Sequence, residues 1–118
     1  MNQFSRASKW GAVVVAAVAL ISSRVVLSAD VDADAAKGLA RQNNCFKCHA
    51  VEKEKDGPSY KKVAEKYKGK PEAEARLTEH ITSGEKAKFP DGHEEEHKVI
   101  RAKNEADVKN LVGWILIQ

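Results

Sequence analysis

The chain lacks the features that would let it span a membrane, staple a scaffold or hold nucleic acid. Its longest apolar run is residues 11–21, Gly-Ala-Val-Val-Val-Ala-Ala-Val-Ala-Leu-Ile, well short of the ~20 residues a spanning helix needs. It has only two cysteines, three positions apart, which excludes a disulfide framework. Methionine occurs once, as Met1. No repeat or low-complexity tract is visible, strand-like alternation is almost absent, and 118 residues leave no room for a second catalytic domain.

The apolar run follows Arg6 and Lys9, is broken by Ser22, Ser23 and Arg24, and has no acid before Asp30. This is the pattern of a secretory signal peptide over residues 1–29. The expected cut follows Ala29, and Ser28 and Ala33 are alternative cut points because Leu27 is bulky for its place. An uncleaved anchor is the competing reading, and the shortness of the run argues against it. Residues 30–118 then form the mature domain, exported to the periplasm. Removing Arg6, Lys9 and Arg24 from the 20 basic residues leaves 17 against 17 acidic ones. The apparent excess of +3 belongs to the leader, so nothing in the charge suggests nucleic acid as a partner, and no stable membrane insertion is expected once the leader is gone.

Cys45 and Cys48 are the chemistry-bearing pair. A disulfide between them would close a tiny loop, and a thioredoxin-like redox pair expects a βαβ context that is missing. Neither reading uses the next residue. Cys45-Phe46-Lys47-Cys48-His49 is the attachment sequence of c-type haem. On one helical turn two thiols reach the two vinyl groups of a porphyrin edge, and the adjacent imidazole of His49 comes under the iron as proximal ligand. One covalent haem c is therefore expected.

The remainder reads as helices joined by Gly and Pro turns, an all-α scaffold. Ala35, Ala36, Leu39 and Ala40 recur at helical spacing behind Asp30, Asp32 and Asp34, acids that suit a helix N-terminus. After the Gly57-Pro58 turn, Tyr60, Val63, Ala64 and Tyr67 mark a second helix ending at Gly69. Pro71 opens a third, with Ala73, Leu77 and Ile81 inward and Ser83-Gly84 closing it. Asn104 caps the last, with Val108, Leu111, Val112 and Ile115 inward. Residues 85–103 are expected to be irregular.

From the N-terminal helix through Cys45-Phe46-Lys47-Cys48-His49-Ala50 and Gly57-Pro58-Ser59-Tyr60 to Trp114, the sequence resembles a small bacterial class I cytochrome c. The resemblance implies about four short helices wrapped around one covalently bound haem, with the first and last helices crossing. It implies that the Pro58 carbonyl accepts a hydrogen bond from His49, fixing the ring and raising its basicity. It also offers His80 as a contact to a haem propionate; the plain alternative is a partly exposed helical histidine.

The family normally places a methionine on the far side of the iron, and here Met1 leaves with the leader. The sixth ligand must come from another histidine, a lysine, an asparagine or water. His97 is the first candidate: apolar Val99-Ile100 follow it, and it stands 17 residues before Trp114, close to the spacing of the family's methionine. His93, in a turn beside Asp91 and Gly92, is the alternative, and ligation by neither remains open; imidazole suits iron in both cases. His93-Glu94-Glu95-Glu96-His97 also matches the zinc-protease string His-Glu-x-x-His, which is rejected for want of an apolar helix face, a third ligand and a cleft.

Iron held by protein on both faces exchanges electrons without binding substrate, so a single-electron carrier is expected rather than an enzyme. Imidazole in place of thioether favours ferric iron, which implies a low potential. Periplasmic redox proteins would serve as donor and acceptor, docking at the haem edge near Cys45 and Cys48. Lys47, Lys53, Lys55, Lys61 and Lys62 are a candidate steering rim or ordinary solvated surface. Two alternatives stay open: a haem-based binder or sensor of NO, CO or O2 with a displaceable distal ligand, and a haem subunit of a larger periplasmic oxidoreductase.

Overall fold

The computed structural model describes residues 30–118; the expected leader, residues 1–29, lies outside them. Four helices dominate: α1 (Ala33–Gln42), α2 (Tyr60–Tyr67), α3 (Ala73–Thr82) and α4 (Glu105–Leu116). A short 3₁₀ turn covers Cys45–Lys47. None of these helices is long and apolar enough to cross a membrane.

The crossing of α1 and α4 is the frame. Asp32 caps α1 by accepting the Ala35 N–H at 2.9 Å, and Asn104 caps α4 by accepting that of Asp107 at 2.9 Å. Ala36 and Ala40 are fully buried between the helices, and Leu111 and Val112 face them from α4. Gly113 lets the chain before α1 come close, since a Cβ there would stand 3.2 Å from Val31 Cγ2. The Asn110 side chain pins that approach, accepting from Asp32 N–H and donating to Asp32 C=O, both at 2.8 Å.

α2 and α3 pack on α4, burying Tyr60 and Ala64 from one and Ala73, Leu77 and Ile81 from the other. Ser59 caps α2 through the Lys62 N–H. The helices therefore follow the apolar spacing, and the expected four-helix, mostly helical architecture is present.

The expectation for residues 85–103 needs correction. β1 (Lys86–Lys88) and β2 (Glu94–Glu96) form an antiparallel hairpin with Lys86 opposite Glu96 and Lys88 opposite Glu94. Opposite charges across the strands favour this register. At its turn Gly92 takes φ +93°, Gly92 N–H bonds Phe89 C=O at 2.9 Å, and Asp91 accepts the His93 N–H at 3.1 Å. Beyond the hairpin the chain returns as a strap, with Ile100 N–H donating to Ile81 C=O at 2.9 Å.

Candidate functional site

The 3₁₀ turn begins at Asn44, held at φ +57°, a conformation asparagine tolerates better than most residues. His49 N–H donates to Cys45 C=O at 3.0 Å, closing a helical turn that carries Cys45, Cys48 and His49. Both thiols are half-buried and unpaired, and burial pushes that of Cys45 above its ordinary pKa.

The His49 ring is fixed from three sides. Its Nδ1–H donates to Pro58 C=O at 2.7 Å, and Tyr60 stacks on it with centroids 5.3 Å apart and planes 18° apart. Tyr60 is in turn held edge-on by buried Trp114 at 5.5 Å. On the remaining side Gly57 approaches so closely that a Cβ would lie 2.5 Å from Cε1. Sequence reading took Gly57-Pro58 as a turn; the need for a bare Cα against the imidazole emerges only from the fold.

His97 follows β2 directly. Its N–H donates to Glu85 C=O at 2.8 Å, and its Nδ1–H to Lys98 C=O at 3.0 Å. A carbonyl can only accept, so in both His49 and His97 the proton sits on Nδ1 and the Nε2 lone pair is free. Burial holds both rings below their ordinary pKa, outweighing the opposing pull of the carbonyls. Neutral imidazole is the form that ligates a metal.

The two ring centroids are 6.3 Å apart, with planes inclined at 48°. Imidazole nitrogens bind first-row metals at about 2 Å, and the nitrogen lies roughly 1 Å from its ring centroid, so two rings on opposite faces of one ion stand about 6 Å apart. The observed spacing fits a metal held between them, with Cys45 and Cys48 beside the proximal ring.

His93 lies elsewhere, at the exposed hairpin turn. Its Nδ1 pairs with Asp91, its Nε2 lies 3.2 Å from Glu95, and its ring stacks on Phe89 at 4.3 Å. The zinc-protease string is extended through Glu94–Glu96, so its two histidines do not share a helical turn. His80, on α3, bonds Glu85 through Nδ1 and packs its ring 4.1 Å from that of His97. Nearby, Arg76 Nη1, 3.7 Å from Glu79 Oε2, is the one buried side-chain polar atom among the described residues without a hydrogen bond.

Two further residues escaped sequence reading. Buried Asn43 donates to Leu39 C=O at 2.9 Å and Arg101 C=O at 3.0 Å and accepts from Arg101 N–H at 2.7 Å, clamping the strap to the end of α1. Glu85 ties α3 to the strap. Neither carries a local signal, because the partners that matter, Arg101 for Asn43 and His97 for Glu85, lie in another segment.

The chain is similar to several known proteins. The family described as Cytochrome c matches residues 33–117. Cytochrome c-551 of Allochromatium vinosum is 37% identical over 78 residues, covering 66% of this chain and 80% of its own. Cytochrome c-552 of Nitrosomonas europaea is 36% identical over 88 residues, covering 75% and 79%. The crystal structure of the class 1 cytochrome MtoD from Sideroxydans lithotrophicus ES-1 superposes with a TM-score of 0.72 at 73% identity, covering 75% of this chain and 97% of that one. With its Cys-x-x-Cys-His turn set under crossed terminal helices and these relatives beside it, the chain belongs to the cytochrome c family, as a class I member that holds one covalent haem and carries electrons rather than transforming a substrate.

Proposed function

We propose that this is a periplasmic single-electron carrier whose haem is bonded through Cys45 and Cys48 and ligated by His49 and His97, with a potential below that of methionine-ligated relatives. The observation that carries it is the 6.3 Å pairing of two neutral imidazoles, each with Nε2 free. Haem supplies an iron that gains and loses one electron. The chain keeps the surroundings unchanged as it does so: Pro58 and Lys98 carbonyls hold the rings, and Tyr60 and Trp114 back the proximal one. Imidazole in place of thioether lowers the potential. Arg76 Nη1 is the donor on offer to the propionates; His80 gives its ring N–H to Glu85 and adds a second donor only with both nitrogens protonated. The tethering of His97 by its N–H and its Nδ1–H disfavours a displaceable distal ligand, and His93, engaged by two carboxylates, is the weaker ligand candidate.

Export rests on the leader pattern of residues 1–29. A redox partner with an acidic rim docks at the cysteine face, and the composition of that face supports this choice. Residues 41–51 and 98–104 contain no acid; exposed Arg41, Lys47, Lys98 and Arg101 belong to them. Asn43 joins the two segments, and the charge of Lys98 reaches Cys45. Of the lysines first considered, Lys62 pairs with Glu54 and Lys55 donates to Phe46 C=O at 2.6 Å, which leaves them less suited to a partner.

The test is paramagnetic resonance and visible spectroscopy of the oxidised protein with His97→Ala and His93→Ala compared. Loss of the low-spin bis-imidazole signal in His97→Ala alone is the expected result. Loss in His93→Ala alone, or in neither, refutes the ligand assignment.

A further inference from the structure

We propose that Glu85 is a positioning residue for the distal imidazole and that it acts through His80. The proposal rests on His97 being the distal ligand. Three contacts converge on Glu85, and a fourth follows from them. Its carboxylate accepts from Arg76 Nη2 at 2.7 Å and bonds His80 Nδ1. Its main-chain carbonyl accepts the His97 N–H at 2.8 Å. The His80 ring that it holds lies against the His97 ring, centroids 4.1 Å apart and planes at 43°. One residue thus secures the distal imidazole twice, by its backbone and by an intermediary ring.

This arrangement is not what helix geometry yields by itself. Glu85 is five residues beyond His80, outside the three- and four-residue spacings that meet on a helix. It reaches back only because α3 stops at Thr82 and Gly84 turns the chain at φ +73°. The turn is tight against the strap, since a Cβ on Gly84 would sit 3.3 Å from Val99 Cγ2. A surface ion pair between Glu85 and Arg76 would contribute little alone. Here the carboxylate oxygen is shared with His80, its side chain is 27% exposed, and a charge-assisted bond fixes a ring direction as well as a distance.

The work assigned to Glu85 is to limit rotation and withdrawal of the His97 ring. Freed from the carboxylate, His80 can swing off its neighbour, and one wall of the distal ring is lost. The Glu85 carbonyl bond to His97 N–H survives side-chain substitution, so a Glu85→Ala variant removes the route through His80 together with the Arg76 bond, and His80→Ala isolates the first.

The experiment uses the haem-loaded protein and cyanide as a probe of distal-ligand displacement in the ferric state. Glu85→Ala is expected to raise the displacement rate about tenfold, the lower end of what losing an outer-shell partner costs, and to shift the low-spin resonance signal, which reports the angle between the ring planes. His80→Ala should match it, and the double variant should add nothing further, because the two residues act as one unit. In a His80→Phe background, where the ring needs no carboxylate, Glu85→Ala should be silent. Unchanged rate and spectrum in Glu85→Ala, or additive effects in the double variant, overturn the proposal while leaving His97 as ligand. If His97→Ala keeps the parent spectrum, the ligand assignment and this proposal fail together. Thermal melting of each variant separates loss of the strut from loss of the fold.

Discussion

Replacing Gly57 by alanine places a methyl group 2.5 Å from Cε1, 2.8 Å from Nδ1 and 3.0 Å from Nε2 of His49. Ordinary contact begins at 3.4 Å, so Cε1 must retreat by 0.9 Å. The ring has no slack for that, with Tyr60 stacked on it and Nδ1 bonded to Pro58 C=O at 2.7 Å. A retreat of that size directed away from the carbonyl carries the bond beyond 3.5 Å, where it no longer counts as a hydrogen bond. Overpacking costs about 1–3 kcal/mol, and the lost bond adds about 1 kcal/mol. Gly57 is not among the positive-φ glycines, so backbone strain contributes nothing and the contact alone is tested. We expect Gly57→Ala to lower the melting temperature of the haem-loaded protein, change its low-spin resonance signal and shift its potential. A variant with parental stability, spectrum and potential would refute the claim that His49 is held in place by a bare Cα.

Gly38 supplies the opposite case: nothing lies within 4 Å of a Cβ there, and it sits inside α1, so Gly38→Ala should stabilise by about 0.5–1 kcal/mol in urea titration. Asn43→Ala removes the clamp on Arg101 and should destabilise by about 1–3 kcal/mol, read by the same titration. His93 has its pKa raised above 6.5, first by its bond to Asp91. A raised folded-state value means that its stabilisation of the hairpin turn is complete below 6.5 and lost as pH rises through the higher value; a proton-resonance titration checks this, and an iron-bound His93 would not titrate. Lys98→Glu with Arg101→Glu should slow low-salt electron exchange with an acidic redox protein and flatten its salt dependence; unchanged rates would remove the cysteine face as the docking site.

Helices were legible where local chemistry and burial coincide. The i, i+3, i+4 spacing of Tyr60, Val63 and Ala64, the acids at the start of α1 and the cap Asn104 act within a few residues, and the fold keeps all of them. The hairpin was not legible in the same way. Lys86-Ala87-Lys88 and Glu94-Glu95-Glu96 carry no apolar alternation, and their attraction becomes visible only once the register sets Lys86 against Glu96. The turn signal Pro90-Asp91-Gly92 was present, but without apolar strands around it nothing marked a hairpin.

The same distinction governs the site. Cys45, Cys48 and His49 act through one turn of chain, so five residues sufficed to place them together. The preference for His97 over His93 rested on its place 17 residues before Trp114 and, as a second reason, on the apolar pair Val99-Ile100. Ile100 is 9% exposed and Val99 49% exposed, so only half of that reason describes packing in this fold. What brings His97 opposite His49 is non-local: Asn43 and Ile81 hold the returning strap, and Glu85 takes the His97 N–H. A chain that has no methionine after Met1 leaves its distal position to whatever side chain the strap delivers. The hairpin governs that delivery, because its register pairs Lys86 with Glu96 and so brings the next residue, His97, to the Glu85 carbonyl that takes its N–H.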